Sequence, residues 1–188
     1  MIESAVFDAC VLYSAPLRDF LLRLGYAKLV CPYWSEEIHA EWMRSLLAKR
    51  PKLLQERLER TRREMDAKFP RSLVTGYEAI IPTLRLPDPN DRHVLAVAIH
   101  AKATFIVTFN LNDFPKSALA PYGVQAICPD DFTVRLIDYD TDALLDAVAG
   151  HRAALYNPAK TVEEYLKTLE QQRLFKTVAF LWEHRGEI

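Results

Sequence analysis

The sequence predicts an α/β fold, an open parallel sheet flanked by helices over residues 1–137, followed by an all-helical extension over residues 138–188. Three observations carry that expectation. Short apolar runs alternate with helical patterns as far as residue 137, the order that builds β-α-β units. The run Thr104–Phe109 is almost continuously apolar rather than alternating, as in a strand covered on both faces of a parallel sheet. After Ile137 no strand signal returns.

Ser4-Ala5-Val6-Phe7 reads as the first strand, with Asp8 at its end. A helix follows, with Ser14 as cap, Pro16 in the first turn, Leu17, Leu21 and Leu24 as its stripe and Gly25 as its stop. Lys28–Cys31 reads as a second strand, and Ser35 caps a helix from Glu36 to about Ala48. From Pro51 to Phe69 the chain is charged and helix-favouring, with only Leu53, Leu54, Leu58 and Met65 as an apolar face, which predicts a helix projecting from the body. Gly76–Pro82 reads as a loop with a short extended piece. Asp88 or Asn90 can cap the next helix, whose buried face is Val94, Leu95, Val97, Ala98 and Ala101. Val124–Cys128, ended by Pro129, is a further strand. The extension carries helical patterns over 141–156 and 161–180, broken at Asn157-Pro158.

Half of the 188 residues are apolar and 26% charged, the profile of a soluble globular protein. No run approaches the roughly 18 apolar residues of a membrane span, and the opening MIESAVFD lacks a signal pattern, so no membrane role and a cytoplasmic location are expected. Cys10, Cys31 and Cys128 have no metal-ligand spacing and read as small core residues. Charge is unevenly spread: Arg44–Arg71 holds ten Lys/Arg against four Asp/Glu, a local +6 on a chain whose total is −1.

Ligands of open parallel α/β sheets bind beyond the carboxyl ends of the strands. Asp8 follows the first strand, and Asn110 and Asp113 follow the Phe105–Phe109 run. Asp91 opens a helix that runs antiparallel to the strands, so its first turn returns to the same rim. Glu41 sits beside the Ile38, Trp42 and Leu46 face and either reaches the rim or meets water. Taken singly these acids have plain explanations, as helix-start or turn residues. Asp8, between apolar neighbours, is the exception, because a buried carboxylate without a partner is costly. Several acids on one rim repel each other unless a cation compensates, and all-oxygen donors suit Mg2+ or Mn2+ rather than zinc.

The series FDACVL, SEEIHAEW, DRHVLAVA and VTFNLNDF resembles the PIN-domain ribonucleases, in particular VapC-type toxins of toxin–antitoxin pairs, over roughly residues 2–137. The helical tail resembles the C-terminal helices that one branch of these proteins carries. The resemblance implies a three-layer, PIN-like (Rossmann-like) nuclease domain over 1–137. It also implies a Mg2+ or Mn2+ site for RNA phosphodiester hydrolysis, leaving 5′-phosphate and 3′-hydroxyl ends. Asp8, Glu41 and Asp91 match the family's first three acids, and Asn110 stands at the fourth, with Thr108 two residues before and Asp113 three after. Asn110 replaces the usual Asp and Cys10 the usual small polar residue, so altered metal affinity is expected, and either Asn110 or Asp113 completes the set. A cognate antitoxin is implied as partner, with Trp34, Trp42 and Trp182 as anchors or, for at least two of them, core; related proteins commonly form homodimers.

RNA must be attracted by a surface other than the acidic rim. Arg57, Arg60 and Arg63 of the basic segment are candidates, with Arg18, Arg92 and His93 closer to the rim; alternatively the segment is a solvated helix laced with pairs such as Glu56–Arg60. The competing reading is a catalytically weak RNA- or protein-binding module with a degenerate metal site, motivated by Asn110 and Cys10. An aspartyl phosphatase would want a second Asp where Cys10 stands. Serine or cysteine hydrolase chemistry has no GxSxG and no His with a recognisable nucleophile partner.

Overall fold

The computed structural model describes residues 2–50 and 52–188. Four strands, β1 (Glu3–Phe7), β2 (Val30–Tyr33), β3 (Phe105–Val107) and β4 (Gln125–Ile127), form one sheet in the order β2-β1-β3-β4. β1 lies parallel to β3 with Phe7 opposite Val107, and β3 parallel to β4 with Val107 opposite Ile127. The ladder continues one step past the strands: Asp8 N donates to Val107 O at 3.2 Å and Thr108 N to Ile127 O at 3.0 Å. That extra rung sets Asp8 beside Thr108, because parallel strands in register keep their next residues adjacent. β3 is buried along its whole length, as its continuous apolar run predicts.

The chain divides into two compact units. One contains residues 3–13 and 31–127. Its helices are α1 (Ala9–Leu12), α3 (Glu36–Lys49), α4 (Gln55–Lys68), α5 (Arg92–Ala101) and α6 (Lys116–Leu119), the number α2 belonging to a helix of the other unit (Ala15–Tyr26). α5 packs on β1 and β3, α1 on α3, and α3 on α4. The core is built from Val6, Phe7, Trp34, Ile38, Trp42, Leu95, Val97 and Ile106, all fully buried.

The other unit contains residue 2 with residues 14–30 and 128–188, and its regular structure is helical apart from the start of β2. Besides α2 it holds α7 (Pro129–Tyr139), α8 (Thr141–Ala154), α9 (Val162–Gln171) and α10 (Phe175–Glu183). α2 packs against α8 and α9, and α7 against α8 and α10. Buried Asp130 accepts from the backbone N of Lys176 and Thr177 and from the Thr177 hydroxyl, at 2.8–2.9 Å, and so caps α10, whose own N-cap residue makes no side-chain bond. Among the described residues, no helix is long and apolar enough to cross a membrane.

Several local expectations are corrected. Gly25 does not stop α2, which runs to Tyr26; Lys28 takes the left-handed turn instead, at φ 59°. β2 therefore starts two residues later than expected and includes Pro32, which an edge strand tolerates. Residues 78–83 form a 3-10 helix rather than an extended piece. The single helix expected over 161–180 is two, separated by Arg173 at φ 66°. Cys31 is exposed and Cys10 and Cys128 are half-buried, so none is a plain core residue.

α4 does not project. Leu58 and Met65 are buried, Asp66 Oδ1 accepts from Trp34 Nε1 at 2.8 Å and lies 3.1 Å from His39 Nε2, and Arg62 bonds Glu36 at 2.8 Å. Pro51, where that helix was expected to begin, lies outside the described residues. Trp34 and Trp42 are core residues, whereas Trp182 is 46% exposed.

Candidate active site

A cavity of about 670 Å³ opens at the carboxyl edge of β1 and β3. Asp8, Glu41, Asp91 and Asn110 line it together with Cys10, Tyr13, Arg44, Ser45 and Lys49. Three separate elements thus deliver acids to one place: Asp8 as the N-cap of α1 at the end of β1, Glu41 from α3, and Asp91 from the 3-10 turn that leads into α5. Asp113 does not line the cavity. It lies in the turn Leu111–Asp113, and its charge still acts on Asp91.

Each carboxylate is held differently. Asp8 is 5% exposed, and both its oxygens are engaged: Oδ1 accepts from Ala9 N at 2.6 Å, while Oδ2 accepts from the Thr108 hydroxyl at 2.6 Å and from Cys10 Sγ at 3.1 Å. The Cys10 sulfur in turn accepts from Phe109 N at 3.2 Å, and the Thr108 oxygen from Asn110 N at 3.0 Å. Burial and the Asp8 charge push the Cys10 thiol up to about 12, which removes it as a nucleophile near neutral pH. Glu41 Oε1 lies 3.2 Å from His93 Nε2. Burial works against protonation of His93, but the bond to Glu41 and the charges of Glu41, Glu37 and Asp8 outweigh it and raise its pKa. Asp91 has no such partner among the described residues. Burial, followed by the charges of Asp8, Asp113, Asp88 and Glu41, pushes its carboxyl up to about 6.

The donor set around the cavity is all oxygen, apart from the protonated Cys10. No three His, Cys, Asp or Glu side chains among the described residues stand close enough to form a ligand shell by themselves. This arrangement fits Mg2+ or Mn2+ better than a caged ion, since Mg2+ keeps several waters and takes one or two carboxylates plus substrate phosphate. Besides burial, the neighbouring charges of Asp8, Asp113, Asp88 and Glu41 raise the Asp91 carboxyl, and that charge imbalance is what such a cation would offset.

The expected RNA contacts divide. Arg57, Arg60 and Arg63 are exposed on α4; Arg60 pairs with Glu64 at 3.7 Å rather than with Glu56, an exposed pair of little energetic weight. Arg18 is 6% exposed, and its burial in the helical unit excludes it as an open phosphate contact. Arg92 folds back onto Pro89 O at 2.9 Å. His93 is 2% exposed and meets Glu41, so it supports a carboxylate instead of touching solvent-borne RNA. Tyr13 and Ser45 are cavity residues that no motif in the sequence singles out.

A PIN-domain family model matches residues 4–112, and a model described as the VapC50 C-terminal domain matches residues 129–183. Over 97 residues the chain is 37% identical to the Mycobacterium tuberculosis (strain ATCC 25618 / H37Rv) protein named "Putative ribonuclease VapC50", an alignment covering 52% of this chain and 57% of that protein. The chain therefore spans little more than half the length of that curated relative. No solved structure matches it. A four-stranded sheet flanked by helices, three acids on its carboxyl rim and a match to the PIN model over more than half of its length place this chain in the PIN-domain family, in the VapC-type branch that carries a C-terminal helical domain.

Proposed function

We propose that the chain is a Mg2+- or Mn2+-dependent endoribonuclease and the toxin of a type II toxin–antitoxin pair. The observation that carries this reading is the convergence of Asp8, Glu41 and Asp91 on one cavity, with the Asp91 carboxyl raised to about 6 by burial and then by its acidic neighbours. Residues 1–137 would carry the nuclease and residues 138–188 its helical extension.

Asp8, Glu41 and Asp91 would position the cation together with its waters and a substrate phosphate, since the three do not close a shell by themselves, with Asn110 at the rim and Asp113 contributing charge from outside the cavity. When bound, the ion supplies an acidified water and neutralises charge that develops on the phosphate. The chain's own residues do the rest. Ala9 N, Thr108 and Cys10 fix the direction of the Asp8 carboxylate, and His93 fixes Glu41. Asp8 or Asp91 orients the attacking water. Exposed Arg57, Arg60 and Arg63 attract the RNA backbone, as an acidic pocket needs a separate cationic surface. The expected macromolecular partners are RNA and a small cognate antitoxin.

The test is incubation of the purified chain with Mn2+ and a panel of structured and single-stranded RNAs beside Asp8→Ala and Asp91→Ala. RNA ends should also be mapped after brief expression of each. Wild type should cut, and both variants should lose at least 100-fold in rate, the scale of removing electrostatic stabilisation at the reacting phosphate. Equal inertness of all three toward RNA, with equal tolerance on expression, would leave the alternative of a binding module with a degenerate metal site.

A further inference from the structure

The carboxylates account for only part of the cavity. The remainder is a wall made by α3 and the end of α1, carrying Tyr13, Arg44, Ser45, Ala48 and Lys49. On α3, Glu41, Arg44, Ser45, Ala48 and Lys49 stand at the i, i+3, i+4, i+7 and i+8 positions of one stripe. From Glu41 to Lys49 that stripe rises ~12 Å along the helix. The stripe changes sign as it leaves the acids. Arg44 is exposed and makes no ion pair or hydrogen bond among the described residues, and Lys49 Nζ sits 5.3 Å from the centre of the half-buried Tyr13 ring. A cation, a hydroxyl, a second cation and an aromatic face therefore line the same cavity as the acids.

A lone metal ion would need none of this wall. Cationic and hydroxyl donors beside an aromatic face suit an anionic group joined to a planar ring, the combination a nucleotide presents. We propose that Tyr13, Arg44, Ser45 and Lys49 form a nucleotide subsite for single-stranded RNA. It would hold the nucleotide next to the phosphodiester at the carboxylates. Arg44 and Ser45 take its phosphate, Lys49 moves from the Tyr13 ring to that phosphate, and the freed ring stacks on the base. A duplex, whose bases are already stacked and paired, cannot offer a base to Tyr13. Which phosphate is cut rests on the nuclease reading above; binding to this wall does not.

The experiment uses the full chain carrying Asp8→Asn, in Mg2+, and a fluorescein-labelled single-stranded oligouridine, the matching abasic oligonucleotide and a duplex RNA. Arg44→Ala and Lys49→Ala should each weaken oligouridine binding about tenfold at low salt and flatten the salt dependence by about 0.7 per charge removed. Tyr13→Ala should weaken oligouridine about tenfold without changing the salt slope, while Tyr13→Phe binds normally. On the abasic oligonucleotide and on the duplex Tyr13→Ala should make no difference. If Tyr13→Ala unfolds, Tyr13→Leu supplies the same comparison with the apolar bulk retained. The subsite is overturned if Arg44→Ala and Lys49→Ala bind within twofold of the parent, or if the Tyr13 variants lose abasic and oligouridine binding equally. Cleavage of the same oligouridine by the unsubstituted chain is read separately: the binding pattern without cleavage would remove the nuclease reading and leave the subsite standing.

Discussion

Thr108→Val removes one hydroxyl and leaves side-chain shape almost unchanged, so it isolates what that hydroxyl does for Asp8. Thr108 is fully buried, donates to Asp8 Oδ2 at 2.6 Å and accepts from Asn110 N at 3.0 Å. A hydrogen bond to a charged group contributes about 1.5–3 kcal/mol net. The Asn110 N–H, on an exposed residue at the cavity mouth, recovers most of its loss by bonding water. The added methyl returns up to ~0.8 kcal/mol by burial. The expected cost is therefore about 1–2 kcal/mol, read as a urea midpoint roughly 0.5–1 M lower with an unchanged m-value. In an Asp8→Ala background the same substitution should cost at least ~1 kcal/mol less, because its main partner is gone. If Asp8 is a metal ligand, loss of this outer partner should also raise the Mn2+ concentration needed for cleavage by about 10–100-fold. Equal costs in the two backgrounds, within about 0.5 kcal/mol, would refute the coupling.

Three further outcomes are expected. His151, 7% exposed and 2.9 Å from the Tyr165 hydroxyl, is lowered to about 4 by burial and by the charges of Arg23 and Lys160. The unfolded chain protonates it first, so stability is intact above pH 6.5 and falls by up to about 3 kcal/mol as pH drops toward 4; His151→Phe should flatten that part of a urea-midpoint pH series, and an unchanged slope would rule the histidine out. Asp91, raised to about 6 by burial and its acidic neighbours, has the opposite sign, stabilising below pH 4 and losing that contribution as pH rises through 6. Discounted for its partial exposure, Asp91→Asn should gain about 1 kcal/mol in EDTA at pH 8 and abolish the rise in melting temperature that the proposed metal site should give the wild type in Mn2+; a variant less stable than wild type at pH 8 would contradict the crowding at this site. His93→Ala should raise the Mn2+ concentration needed for half of that thermal shift about tenfold, whereas Glu37→Ala, acting on His93 across 3.7 Å, should leave it within twofold.

The α/β order and the shared rim were legible because both follow from periodicity and chain direction. Asp8 must emerge where β1 ends, and a helix returning antiparallel must bring Asp91 back to that edge. Helix ends were less legible: Lys28, Lys102 and Arg173 all adopt positive φ without glycine's help, so the punctuation normally read from Gly and Pro was missing or, at Gly25, misplaced. α4 misled for a related reason. Its apolar face is thin, but Asp66 and Arg62 reach the Trp34, His39 and Glu36 side chains of distant segments, and polar tethers of that kind leave no periodic trace. His93 follows the same logic, because a histidine in the motif DRHVLAVA does not declare whether it faces solvent or a carboxylate from another helix.

The three cavity acids are unequal, and the inequality is physical. Asp8 and Glu41 are directed by donors that lie within the fold, so their orientation is settled before any cation or substrate arrives. Asp91 has no donor among the described residues, is partly buried and has the charges of Asp8, Asp113, Asp88 and Glu41 acting on it, an arrangement that costs stability rather than adding it. Packing does not require it, since the adjacent buried residues of α5, Val94 to Ala98, already fasten the helix to the sheet. A carboxylate placed at such cost, beside two others already aligned, makes sense when a divalent ion supplies the missing counter-charge. On the proposed metal-dependent reading, Asp91 would be the acid through which binding of the ion is most strongly felt, and Asp91→Asn the substitution that should separate the stability of the fold from the chemistry of the site.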